Sequence, residues 1–156
     1  MISFGEFASM LERSAAELRP RLEIGLAKVG ELTKTMAAEY IGHEMPEWPP
    51  LASSTVDEKT RLGYVGHVSS TDPLLRTGEM RDSIELEVEG LAQAVGSKSK
   101  VALWQEVGTT PSAGHPGIPP RPFIGLAAQR SLPYAEDVFG EIAVRILAPA
   151  DRVRMP

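Results

Sequence analysis

The chain has no cysteine, which excludes disulfides, thiolate nucleophiles and every zinc site built on Cys ligands. No apolar run approaches the roughly 18 residues that span a bilayer, and the opening stretch MISFGEFASMLERS carries acidic residues where an export signal carries basic ones. The expectation is a soluble chain with no export signal and no membrane contact. Positive charge is also scarce: 16 Lys and Arg stand against 21 Asp and Glu, a net charge of −5. Sequence-independent DNA binders gain affinity by neutralising phosphates, so DNA is expected to be touched in passing and not held.

Catalytic signatures are missing too. There is no G-x-S-x-G, no P-loop and no G-x-G-x-x-G after a strand. The three histidines, His43, His67 and His115, each lie in a Pro/Gly loop. His43-Glu44 starts like a metalloprotease helix, but the second histidine is absent and Pro46 breaks the turn that would align the ligands. No catalytic residue, metal or cofactor is therefore expected. The competing enzyme reading is a small metal-dependent hydrolase or nuclease built on scattered carboxylates, which leave no trace in one sequence.

What the chain does have is 13 prolines and 14 glycines in 156 residues, clustered at 42–50, 63–78 and 108–125. A chain of this length forms one domain with an adequate core, here carrying long stiffened loops. Residues 1–42 read as a helical arm. Ser3-Phe4-Gly5-Glu6 has the form of a capping box, and Phe4, Phe7, Leu11 and Leu18 follow at helical spacing. Pro20 is expected to end that run and open a second helix carrying Leu22, Leu26, Val29, Leu32, Met36 and Tyr40, closed near Gly42. Residues 43–130 read as a sheet-and-loop core, with Ser53 to Thr55 capping one short helix and Thr77 capping a further turn.

The strand signal is strongest in SIELEVE, where Ile84, Leu86 and Val88 alternate with Glu85, Glu87 and Glu89. Glu89-Gly90 turns it into a return strand over 91–95, and Ser99 caps a helix that Gly108 closes. Pro133 to Leu147 is an amphipathic helix within a C-terminal segment 131–148, followed by a tail at 149–156; Phe123 to Arg130 reads as a strand end or a short helix. The sum is an α+β fold: N-terminal helices, a small antiparallel sheet, and further helices.

Two surfaces invite a functional reading. The glutamates of the strand form a solvent face that discourages edge pairing, or, in an oligomer, an acidic wall facing a channel. The 108–122 loop is framed by Trp104 and Glu106 on one side and Pro119-Pro120-Arg121-Pro122-Phe123 on the other. Its prolines present side chains at low entropic cost, and Arg and aromatic residues are typical binding anchors. Alternatively, Trp104 and Phe123 pack the loop ends onto the core while Arg121 pairs with Glu106.

Four blocks now stand in order: WPPL from Trp48 with STVDEK from Ser54, PLLRTGEMRDSI from Pro73, ALWQEVGTT from Ala102, and IPPRPFIG from Ile118. Together they resemble the small neck and tail-completion (head-to-tail joining) proteins of long-tailed bacteriophages, in the Mu-type virion morphogenesis branch. The resemblance covers Trp48 to Leu126. It implies a non-enzymatic α+β protein that completes the tail or neck during virion assembly in the host cytoplasm, as a ring around the DNA path. Its partners would be further copies of itself and other neck, connector or tail proteins. The motif carries over onto Leu75, Thr77, Gly78, Arg81 and Ser83; onto Trp104, Glu106, Gly108 and Thr109; and onto Pro120, Arg121, Pro122 and Phe123. The chain departs from the pattern at Trp104, where many relatives carry another residue, and in the longer insert from Ser112 to Gly117. The expected interface residues are thus Trp104, Glu106, Thr109, Pro120, Arg121 and Phe123, with Glu85, Glu87 and Glu89 as channel-facing candidates.

Overall fold

The computed structural model describes residues 3–64, 71–114 and 116–147. Its elements run α1 (Phe4–Tyr40), α2 (Ser53–Leu62), α3 (Glu79–Asp82), β1 (Ile84–Glu89), β2 (Ala92–Ser97), α4 (Lys100–Val107) and α5 (Ile124–Leu147). This is the α+β plan read from the sequence. His67, His115 and the tail at 149–156 lie outside the described residues.

α1 begins on the expected capping box. The Glu6 amide donates to Ser3 Oγ at 3.2 Å and the Ser3 amide donates to Glu6 Oε2 at 2.8 Å, so two of the amides a helix start leaves unpaired are satisfied. Contrary to expectation, Pro20 does not divide the helix: α1 continues through it to Tyr40. Proline removes one amide, the one that would donate to Ala16, and costs about 3 kcal/mol in a helix interior. Packing on both sides of it holds the helix together. On one side Ser14 Oγ donates to the Ile146 carbonyl at 3.4 Å, and on the other Gly25 lies against Val138, Phe139 and Ile142.

Those contacts also fix how α5 lies. Ser14 meets Ile146, Gly25 meets Val138 to Ile142, and Thr33 Oγ1 donates to Ser131 Oγ at 2.8 Å, so α5 runs antiparallel along α1. The C-terminal helix starts at Ile124 and carries Pro133 inside it, nine residues earlier than the Pro133 start expected. Its first turns bury Ala127 and Ser131, and that burial outweighs the single bond Pro133 removes.

β1 and β2 form a two-stranded antiparallel hairpin in which Ile84 pairs with Ser97 and Glu89 with Ala92. Gly90 turns it at φ 56°. The hairpin lies on α1 through Leu86 and Gln93, which reach Gly30 so closely that a Cβ there would stand 2.3 Å from Gln93 Oε1 and 2.6 Å from Leu86 Cδ1. A two-stranded sheet is marginal by itself, so α1 supplies the face that this one needs.

The core sits where the end of α1, the start of α5 and the loops converge. Ala37, Ile41, Trp48, Leu75, Ile84, Ala102, Phe123 and Ala127 form one buried cluster. Phe123 is its largest fully buried side chain.

Candidate functional site: the loop after the fourth helix

α4 ends at Gly108, whose amide donates the last helical hydrogen bond to the Trp104 carbonyl and whose φ of 76° turns the chain out of the helix. The chain then leaves and returns beside itself. The Thr109 amide donates to the Ile118 carbonyl at 2.9 Å, and the Ile118 amide donates to Thr109 Oγ1 at 2.9 Å. A Cβ on Gly108 would stand 2.8 Å from the Ile118 carbonyl oxygen, and one on Gly117 would stand 2.6 Å from that of Thr109. Both glycines have positive φ and meet backbone, so no other residue fits without moving the chain. The base of the loop is therefore a cross-stitched neck.

Below the stitch, the first turn of α5 lacks a local cap, because Pro122 and Phe123 offer no side-chain acceptor. Glu106 supplies it from α4. Its carboxylate accepts from the amides of Phe123 at 2.8 Å, Ile124 at 2.9 Å and Gly125 at 2.8 Å. A carboxylate on the positive end of a helix dipole is favourable as well as satisfying. Glu106 is thus occupied by backbone, and the expected pairing with Arg121 does not form.

Arg121 goes elsewhere. Its Nη2 donates to the carbonyls of Pro49 at 3.0 Å and Pro50 at 3.1 Å, its Nε donates to Pro49 at 3.3 Å, and its amide donates to the Gln105 carbonyl at 2.7 Å. The prolines have no amides of their own, but their carbonyls need donors, and the rigid guanidinium fork meets two at once. Burial pushes the Arg121 pKa down from its ordinary value. The Trp48 indole donates to the Pro122 carbonyl at 3.2 Å, closing the link from the opposite direction.

The site residues therefore divide. Arg121 and Phe123 are buried within the chain, a correction to the expectation that the loop holds them out to a partner: two carbonyls and the core claim them first. Trp104 is 44% exposed. Thr109 and Pro120 are exposed. Glu85, Glu87 and Glu89 lie on the sheet face turned away from α1, and Lys98 Nζ stands 3.0 Å from Glu85 and 3.7 Å from Glu87, which softens the acidic row.

Two features were not anticipated. One is the capping role of Glu106, whose signal was the missing N-cap before Ile124. The other is the apolar outer face of α4. KVALWQEV carries apolar residues around most of its circumference, yet only Ala102 is buried, leaving Val101, Leu103, Trp104 and Val107 exposed. Among the described residues, no group of three His, Asp or Glu side chains is placed to hold a metal ion, and no helix is long and apolar enough to cross a membrane.

Comparison of the chain with protein-family models, with curated proteins and with solved structures gives no match in any of the three.

Proposed function

We propose that this chain is a non-enzymatic structural protein of a bacteriophage or prophage, completing the tail or neck and helping to join head to tail as one subunit of a ring around the DNA path. The observation that carries the reading is the convergence of the four sequence blocks. Trp48, Leu75, Ile84, Ala102 and Phe123 come from all four and share one core cluster. The polar residues of the same blocks bind each other's backbones, as Arg121 does at Pro49 and Glu106 does at Phe123. The resembling residues are thus the fastening of a stiff loop beside an exposed apolar helix face, which suits a protein that works by contact.

The test is electron microscopy of an induced lysate from a phage lacking the gene. Filled heads separate from full-length tails, rescued by the wild-type chain and poorly by Trp104→Ala, are the expected result. Trp104 is the probe because it is exposed and lies outside the core cluster, and circular dichroism of the variant checks that it folds. Normal infectious particles without the chain would overturn the reading.

A further inference from the structure

A two-stranded sheet has two free edges, and here they are unlike. β1 carries Glu85, Glu87 and Glu89 on its outer face, a charged row of the kind that keeps other strands away. The outer face of β2 carries Ala92, Ala94 and Gly96, and the strand has no charge, proline or bulge to do the same. Its backbone is open as well. The two-residue turn Gly90-Leu91 joins the Glu89 carbonyl to the Ala92 amide, and hydrogen-bonded pairs then alternate along the register: Glu89 with Ala92, Glu87 with Ala94, Glu85 with Gly96. Gln93 and Val95 stand between them, so their N–H and C=O groups point away from β1. Neither takes a backbone partner elsewhere among the described residues. Beside this edge lies a cleft of about 310 Å³, lined by Leu26 and Val29 of α1, Gln93 and Val95 of β2, and Ala128 and Leu132 of α5, with no charged residue in its walls. The Gln93 carboxamide makes no hydrogen bond there, its Oε1 buried and unpaired, where buried polar groups are normally satisfied.

We infer that this cleft takes one extended segment of another protein as a third strand on β2, a segment without charge and apolar at every second residue. The backbone, the lining and α5 each narrow the occupant. Only an extended backbone supplies donors and acceptors at the spacing of Gln93 and Val95, two residues or about 6.7 Å along the strand. Alternate side chains of such a strand then turn toward Leu26 and Val29. The uncharged lining disfavours charged side chains at those positions, since nothing in the cleft would pair with them. α5 bounds the far side, so a single strand fits where a second copy's hairpin, with another strand behind the first, would meet the helix. A third strand also gives the sheet what two strands alone lack. The inference does not depend on the phage reading.

The probe is a synthetic peptide of alternating threonine and valine, six residues long with a lysine pair at its carboxyl end for solubility, added to the isotope-labelled full chain and followed by amide NMR. With peptide up to about 2 mM, the expected result is saturable shifts of the Gln93 and Val95 amides, with their hydrogen exchange slowed at least about fivefold. The same peptide with every backbone amide methylated keeps its side chains and loses its donors, and should shift neither. Val95→Pro removes an outward amide while leaving the bonds to β1, as an edge position allows, and should weaken binding at least about tenfold. Val95→Ala, which keeps that amide, should weaken it less. Leu132→Lys, at an exposed position, puts a charge into the cleft and stands in if circular dichroism shows that Val95→Pro fails to fold. The absence of a saturable shift overturns the inference. So do equal shifts with the methylated peptide, which mark a pocket for side chains alone, or undiminished binding by the folded variant. Shifts of Gln93 and Val95 that grow with protein concentration alone make a second copy the occupant and overturn it too.

Discussion

Glu106 and Arg121 do the same kind of work with opposite charge: each satisfies backbone groups that its neighbours cannot. Removing either leaves buried groups unpaired, and the loss exceeds the value of the bonds alone. Arg121→Ala is expected to destabilise the chain by roughly 1.5–3 kcal/mol, the range for hydrogen bonds to a charged group. Arg121→Lys should recover part of this, since an ammonium reaches one carbonyl more readily than two. Glu106→Gln keeps one acceptor but turns an amide donor toward the α5 amides, so it should cost about 1 kcal/mol or more. Urea unfolding of the variants measures all three. Lys59 makes a pH prediction. It is 3% exposed and donates to the Asp72 carbonyl, and burial pushes its pKa below the ordinary lysine value. The unfolded chain therefore holds this proton more tightly than the folded one, and stability should rise with pH between the folded value and the ordinary lysine range. Lys59→Met should flatten that rise when melting is followed from neutral to alkaline pH.

At the level of elements, Pro20 and Pro133 carry the main lesson about reading this chain. Both were read as helix boundaries, Pro20 between two helices and Pro133 at the start of one, and in both cases the helix runs through because the residues on either side are packed. Local sequence records the cost of a proline but not the neighbour that offsets it. Pro20→Ala is therefore expected to stabilise the chain by up to about 3 kcal/mol, the restored bond and the lost ring clash together, read as a higher melting temperature. Several local readings held: the Ser3 capping box, the alternation through β1, the Gly90 turn and the Gly108 stop are all in place, whereas α2 starts at Ser53 behind Ala52 with no side-chain cap, and Ser99 precedes α4 without its hydroxyl capping it. Readings that depended on partners distant in sequence did not hold. Arg121 binds Pro49 and Pro50, and Glu106 binds the amides of Phe123 to Gly125, and nothing in PPRPF says that those proline carbonyls lie waiting. The exposed face of α4 was legible only as apolar excess, since a helix apolar all round looks buried until its surroundings are known.

For the whole molecule, charge sets the expectation toward nucleic acid. A net charge of −5 gives little to release from the counterion atmosphere of a duplex, and the outer sheet face adds carboxylates. The purified chain should leave duplex DNA unshifted in a gel at about 50 mM salt; a retarded band that vanished with added salt would reveal a basic stripe and count against a lining that DNA merely passes.

The antiparallel run of α5 on α1 has a mechanical consequence. The cross-stitched loop and α4 sit by the start of α5, and the overhanging turns of α1 sit past its end, separated by a helix of 24 residues, about 36 Å at 1.5 Å per residue. Whatever is held at one end is kept that far from whatever is held at the other by paired helices, which resist compression better than any loop. As the ring subunit proposed above, the chain would act as a spacer that sets the thickness of its layer.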